Sequence, residues 1–398
     1  KEAFMQDQQI FSNLKLRASW GKLGNDQIGL YSWIPTLSLG SDYYFNGQAS
    51  SGVAQTAVSN PDITWESATK TDIGFEAGFL QNRLNIEFDY FNDLRRDILR
   101  NINLPWTVGD LIAPAENLAS VRNRGWEFST NYTQNIGRVR LRAGFNVTHV
   151  TNEVVKIPDP QIGFLILKEG ESMNAFYMWK ATGIFKTQEE VDNSPVPVGK
   201  TTLPGDIKFE DVGGPDGKPD GKIDADDRQV VGKPIPTWTY GINLSAAYEG
   251  FDVGVLMQGV GGVQSYVGGE LYFPFLNGAG VPTRWASGNT WTPDNVNAKL
   301  PRLLQYSAPT WNYESNSFWL QDASFLRIKN IQIGYSVPEK MISRIKVISG
   351  LRVYVNGQNL FTFTKFEGLD PERFPTNTTG ANQYPNIRII TGGVNIKF

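Results

Sequence analysis

The sequence contains no cysteine and a single histidine, His149, among 398 residues. Without cysteine there is no disulfide scaffold, no thiol nucleophile and no thiolate-ligated metal or iron–sulfur site. With one histidine a multi-histidine zinc centre is impossible, and a Ser/His/Asp triad would have to use His149. Charge of one sign is also lacking. Lys+Arg 37 against Asp+Glu 40 gives a formal net charge of -3, so there is no overall basic footprint for a nucleic-acid partner. No apolar run approaches the roughly 18 residues of a transmembrane helix. The first residues, KEAFMQDQQI, lack the apolar centre of a signal peptide and read as the start of a mature fragment or of the later part of a longer protein.

What is abundant is aromatic and turn-forming residues, with 23 Phe, 15 Tyr, 11 Trp, 40 Gly and 22 Pro. Helical spacing is scarce, whereas alternation at a period of two recurs along the chain. Ile73, Phe75, Ala77 and Phe79 alternate with polar residues or glycine, and Leu84, Ile86, Phe88 and Tyr90 do so after a hairpin-length gap. Such runs predict ten strands, at roughly 14–22, 68–79, 84–93, 122–133, 138–150, 236–248, 251–259, 321–336, 349–361 and 386–398. A change of phase between Ile328 and Ile331 predicts a bulge near Lys329 and Asn330.

Most of these strands exceed the five or six residues common in globular sheets and suit a tilted bilayer crossing of about nine to eleven residues. Their connections alternate between short and long. Short turns at one end and long loops at the other is the arrangement of an outer-membrane barrel, with the turns in the periplasm. It places Phe398 on the periplasmic side and the loops outside. Trp20, Tyr90, Phe91, Trp126, Tyr248 and Tyr335 stand near strand ends, where interfacial girdles sit. The competing reading is a soluble all-β sandwich or propeller, against which strand length, loop asymmetry and the terminal Val394, Ile396, Phe398 alternation weigh. The fold class is therefore all-β, a transmembrane antiparallel barrel. Parity allows residues 151–235 to hold either no spanning strand or two, with 162–168 and 174–185 as the candidate pair; without them, 151–235 is one large extracellular excursion.

Specific words in the sequence then match a known family in order along the chain. LKLRASWGKLGN (14–25), NPDITWE (60–66) followed by Asn82-Arg83-Leu84, the Asn117, Val121, Asn123, Gly125, Glu127 box, GIF (183–185) with Glu189-Glu190, and PGDIKF (204–209) come first. WTPDN (291–295), PRL (301–303), NLFT (359–362), GLDPE (368–372) and Tyr384-Pro385 follow. This series resembles the SusC/RagA group of TonB-dependent outer-membrane transporters. The resemblance implies that residues 1–398 are the C-terminal part of a 22-stranded barrel, about 10–12 of its strands, with the N-terminal plug and first strands absent. It further implies a SusD-like surface lipoprotein as a lid, a TonB-type energy-coupling protein as driver, outer-membrane lipid as surroundings, and import of an oligomeric nutrient, glycan or peptide. The rivals are a TonB-dependent siderophore or cobalamin receptor, a surface β-rich glycan-binding module, and a structural component of an envelope assembly. An open half-barrel leaves two strand edges that lipid cannot satisfy, so partner strands are expected.

Within the excursion, the acidic, glycine-rich loop 211–228 contains DGKPDGKIDADD. Read as a twelve-residue Ca²⁺ loop, Asp216, Asp220, Asp224 and Asp227 fill positions 1, 5, 9 and 12, with Gly221 at the turn and the Lys222 carbonyl at position 7. Lys218 at position 3 and Asp in place of the bidentate Glu at position 12 depart from that pattern, and Asp211 is an alternative first ligand. The competing reading is a metal-free surface turn. Loop aromatics Trp33, Tyr43, Tyr44, Phe45, Trp106, Tyr272, Phe273, Phe275, Trp285, Trp291, Trp311 and Tyr313 are candidates to stack on substrate or partner, or to form the seam that holds the loops together. Arg138, Arg140 and Arg142 alternate with apolar residues and are expected to face the lumen. His149 reads as a wall residue. Nothing in the sequence argues for catalysis.

Overall fold

The computed structural model describes residues 8–102, 104–109, 111–214, 216–269, 272–273, 286–304, 310–342, 347–373 and 384–398. Ten strands form one antiparallel sheet in which sequence neighbours are also spatial neighbours. They are β1 (Phe11–Asn25), β2 (Glu66–Phe79), β3 (Leu84–Asn101), β4 (Ala115–Ile136), β5 (Val139–Lys156), β6 (Trp238–Tyr248), β7 (Phe251–Gly261), β8 (Phe325–Ser336), β9 (Gly350–Thr364) and β10 (Ile389–Lys397). All ten expected strands are present, and β3, β4 and β5 run further into the loop end than their alternation shows. Among the described residues no helix is long and apolar enough to cross a membrane.

Because side chains alternate across a strand, register assigns each residue to a face. One continuous row runs Leu16, Phe75, Phe88, Phe128, Val147, Tyr240 across β1 to β6. A soluble protein would cover such a face, yet Leu16, Ile73, Val355 and Phe361 are exposed on it, as a lipid-facing wall requires. The opposite face is polar. There Arg17 reaches Glu76 at 2.6 Å and Glu87 at 2.7 Å and also pairs with Asp89, and Arg352 reaches Asp252 at 2.6 Å. Those cations sit in a lumen, where charge is tolerated when it is paired.

Turns at the short end are tight. Glu249 and Gly250 both adopt positive φ (45° and 92°), the geometry of a two-residue hairpin turn that matches strand twist. Arg138 ion-pairs with Glu249 and so ties two adjacent turns together. The expected bulge is present. Leu256 pairs with Asn330 and Met257 with Ile328, leaving Lys329 as the extra residue. The alternation places Phe91 on the opposite face from Tyr90, so the girdle expected there loses Phe91, whose ring packs beside Gly125 on the lumen side. Gly125 itself is required: a Cβ there would stand 1.9 Å from the His149 carbonyl oxygen.

No described residue between β5 and β6 joins the ten-stranded sheet. Residues 162–168 and 174–185, the candidate extra pair, contribute instead to a separate four-stranded sheet of Gln161–Ile162, Leu165–Leu167, Ala175–Trp179 and Arg228–Gly232. Strand segments of two to five residues are too short to span a bilayer. Likewise Leu320–Asp322, expected as the start of β8, pairs with Gln264–Tyr266.

Candidate functional site: a loop platform over a charged lumen

The densest apolar core lies outside the barrel wall. Phe176, Met178, Ile207, Phe209 and Ile223 from the segment after β5 pack with Tyr266, Val267, Tyr272, Phe273, Leu300 and Trp319 from the segment after β7. Two connections separated by the β6–β7 hairpin thus make one folded platform at the long-loop end. Trp179 lies 4.3 Å from Trp311, ring centre to ring centre, and Phe273 lies 4.9 Å from Trp319. The Trp319 indole N–H donates to the Asn312 carbonyl at 2.7 Å.

A polar clamp fixes this joint. Asp206 is almost fully buried and accepts two hydrogen bonds from Arg302 (2.7 and 3.1 Å) and one from Asn312 Nδ2 (2.9 Å). Its second oxygen also accepts from the Leu203 N–H at 2.9 Å. The PGDIKF turn supplies the carboxylate, because Gly205 at φ 90° lets the chain reverse while the Trp291 ring lies against the space a Cβ would occupy. Close by, burial pushes the Tyr313 hydroxyl up to about 12, so it stays a neutral donor to the Leu304 carbonyl. At the platform edge Glu210 is held below the usual carboxylate range by hydrogen bonds from Lys180 and Gln229.

A second clamp lies where β8 meets the loop after β9. Arg327 is buried and pairs with Asp370 at 2.6 Å and with Glu372, while Lys329 also reaches Glu372. The N–H of Asn386 donates to Asp370 at 2.7 Å. The bulge at Lys329 has a purpose in this geometry: it turns Lys329 and Asn330 to the lumen face in succession, one to Glu372 and the other to Asn356 at 3.0 Å.

The loop aromatics divide into two groups. Tyr272, Phe273, Trp291 and Trp311 belong to the platform seam. Trp33, Tyr43, Tyr44, Phe45 and Trp106 are exposed on the loops after β1 and β3, which meet where Ala57 bridges Ile112. Trp285 and Phe275 lie outside the described residues. Of the arginine series, Arg142 lines a polar groove of the lumen face with Asn131, Asn243 and Gln332, whereas Arg138 is tied down in the turn. On the outer wall His149 stacks on Trp126 (6.0 Å) and meets Trp238 edge to face (4.5 Å), with no carboxylate or hydroxyl partner among the described residues.

In the acidic loop the carboxylates are occupied by backbone. Asp227 is buried and accepts from the N–H groups of Val212, Gly213 and Asp224; Asp224 caps a short turn through the Asp226 N–H. Asp220 accepts from Lys222 N–H, and Asp211 from Asp220 and Gly221 N–H. Among the described residues no group of three or more carboxylates converges as a metal site. Asp216 is described but takes part in no such cluster.

Residues 9–360 match the family described as "TonB dependent receptor-like, beta-barrel". The chain belongs to this TonB-dependent receptor family. Among curated relatives it is similar to TonB-dependent receptor P3 of Formosa agariphila, 31% identical over 432 residues, covering 100% of this chain and 40% of that protein. It is also similar to TonB-dependent receptor SusC of Bacteroides thetaiotaomicron, 26% identical over 413 residues, covering 100% and 39%. Among solved structures, the RagAB peptide importer in its open-open state superposes with a TM-score of 0.80 at 26% identity, covering 100% of this chain and 41% of that one. The chain thus spans about two fifths of the length of these TonB-dependent receptors. Sequence reasoning missed the Asp206 and Arg327 clamps as units, although Asp206, Arg302, Asp370 and Glu372 stand within PGDIKF, PRL and GLDPE, words it had singled out.

Proposed function

We propose that this chain is the C-terminal barrel part of an outer-membrane importer of the SusC/RagA kind, driven by a TonB-type coupling protein. The carrying observation is the division of the molecule: tight turns at one end, a wall apolar outside and charged inside, and a cored loop platform at the other end. Partner strands from the rest of the transporter would close the edges of β1 and β10. A rigid platform suits a lid, so a SusD-like lipoprotein is the partner we assign to the loop end, which on this reading is extracellular. Trp33, Tyr43, Tyr44 and Trp106 stand exposed there to meet that lid or an oligomeric cargo, peptide or glycan, by stacking. The protein would make and break no covalent bond.

The test is purification of the full-length protein from membranes in mild detergent. A lipoprotein at one-to-one stoichiometry, with uptake of an oligomer lost on deletion, is the expected result. Monodisperse extraction into buffer without detergent would overturn the barrel reading, and iron-chelate uptake without a lipoprotein would favour the siderophore class. Ca²⁺ at the acidic loop is a separable proposal, since binding would have to exchange the backbone bonds of Asp224 and Asp227 for metal bonds. Calorimetry and thermal shift at millimolar Ca²⁺ decide it: no heat and no shift ends the idea.

A further inference from the structure

We infer that the outer wall near the loop end carries a binding site for the phosphates of an outer-leaflet lipid, centred on Arg96, Arg122 and Arg124. This rests on the proposed orientation, with the long loops outside.

Register places the residues. On the outward face, Trp126, His149 and Trp238 share one row of touching rings, stacked between Trp126 and His149 and edge-on at Trp238, at the level where amphipathic rings mark a membrane interface. One outward step towards the loops along β4 comes Arg124, paired with Asn92 and Thr151; the next step is Arg122, paired with Leu94 and Glu153. The β2–β3 ladder is regular up to Ser67–Arg96, so Arg96 shares this face one step beyond Leu94. Lys22 lies in the same row through Thr69, two strands from Leu94 and three from Arg122. With about 7 Å per two-residue step and about 4.8 Å between strands, the three arginines fall within reach of one headgroup.

The charges are also unequally satisfied. On the lumen face Arg17, Lys70, Arg327, Lys329 and Arg352 have carboxylate partners, while Arg142 lies among the amides of Asn131, Asn243 and Gln332. On the outer face, among the described residues, Lys22, Arg96 and Arg124 make no side-chain hydrogen bond or ion pair, and Arg122 has only Glu153 at 3.8 Å. The other acid close by, Asp97, accepts from the Ser67 hydroxyl. Cations left unpaired directly above an aromatic row, on a face that meets lipid, complement phosphate-bearing headgroups. Arginine's planar fork grips phosphate oxygens two at a time.

The experiment uses the full-length protein in detergent, titrated with lipid A, with the same lipid after phosphatase treatment, and with inorganic phosphate, read by native mass spectrometry. Wild type is expected to bind lipid A about tenfold more tightly than the dephosphorylated lipid, about 1.4 kcal/mol. Arg96→Gln/Arg124→Gln should bring the two lipids to equal affinity, and Arg124→Lys should keep most of the preference. Retained heat-modifiable migration shows that each variant is folded; the phosphatase comparison needs no variant at all. Equal binding of both lipids by wild type, an unchanged preference in the folded double variant, or full displacement by millimolar inorganic phosphate overturns the site. Absence of the wild type from the outer-membrane fraction would instead overturn the transporter reading.

Discussion

Asp206→Ala is expected to unseat the loop platform while leaving the barrel wall intact. The substitution removes a carboxylate whose side chain is 4% exposed and leaves Arg302 and Asn312 facing a buried void without their acceptor. Breaking a buried pair by deleting one partner costs about 3–5 kcal/mol. Because the clamp joins PGDIKF to the segment after β7, the loss should appear as protease sensitivity within residues 157–237 and 286–324. Heat-modifiable migration of the barrel should persist, and co-purification of a lid protein should fall. Asp206→Asn is the milder control, since its amide keeps one acceptor for Arg302. Equal protease resistance of Asp206→Ala and wild type would show that the apolar core alone holds the platform.

Arg327→Ala should be as damaging at the other clamp. It leaves Asp370, 3% exposed, and Glu372 without their shared cation in the wall of β8, again at about 3–5 kcal/mol. Unlike the platform clamp, this one links a strand to the loop that precedes β10, so the expected readout is a lower unfolding temperature of the barrel itself. The same clamp sets an acid limit. Burial alone would raise the Asp370 carboxyl, but the Arg327 hydrogen bond, the N–H groups of Glu372 and Asn386 and the Arg327 charge hold it below its ordinary value. A depressed folded value contributes stability that is complete above the unfolded value near 3.9 and is lost as pH falls through the folded one. Unfolding midpoints measured from pH 6 down to pH 2 should therefore decline in wild type below about pH 4. In Asp370→Asn that decline should be shallower; an identical slope would remove Asp370 from the account.

Much of the wall was legible before any coordinates. Alternation of period two reports which face a residue joins, and in a lipid-facing strand both faces are demanding, so Leu84 to Tyr90 or Tyr240 to Tyr248 could hardly be read otherwise. The phase change at Lys329 even marked the bulge. Phe91 was misplaced because adjacency to Tyr90 in sequence means opposition across the sheet. The extra strand pair in residues 162–185 stayed undecided because short apolar runs look alike whether they enter lipid or a small core.

The sequence by itself determined the strand sheet, its alternation of short turns and long loops and its kinship, since these depend on local periodicity and on words read in order. Only the tertiary structure decided that the connections after β5 and β7 share one core, that Asp206 meets Arg302, that Arg327 meets Asp370 and Glu372, and that Tyr272, Phe273, Trp291, Trp311 and Tyr313 pack into the platform while the other described loop aromatics stay exposed. The reason is physical: a strand's facing is set by its own alternation, whereas a clamp joins segments 96 or 43 residues apart, and no local pattern records which distant partner will remove a charge from water.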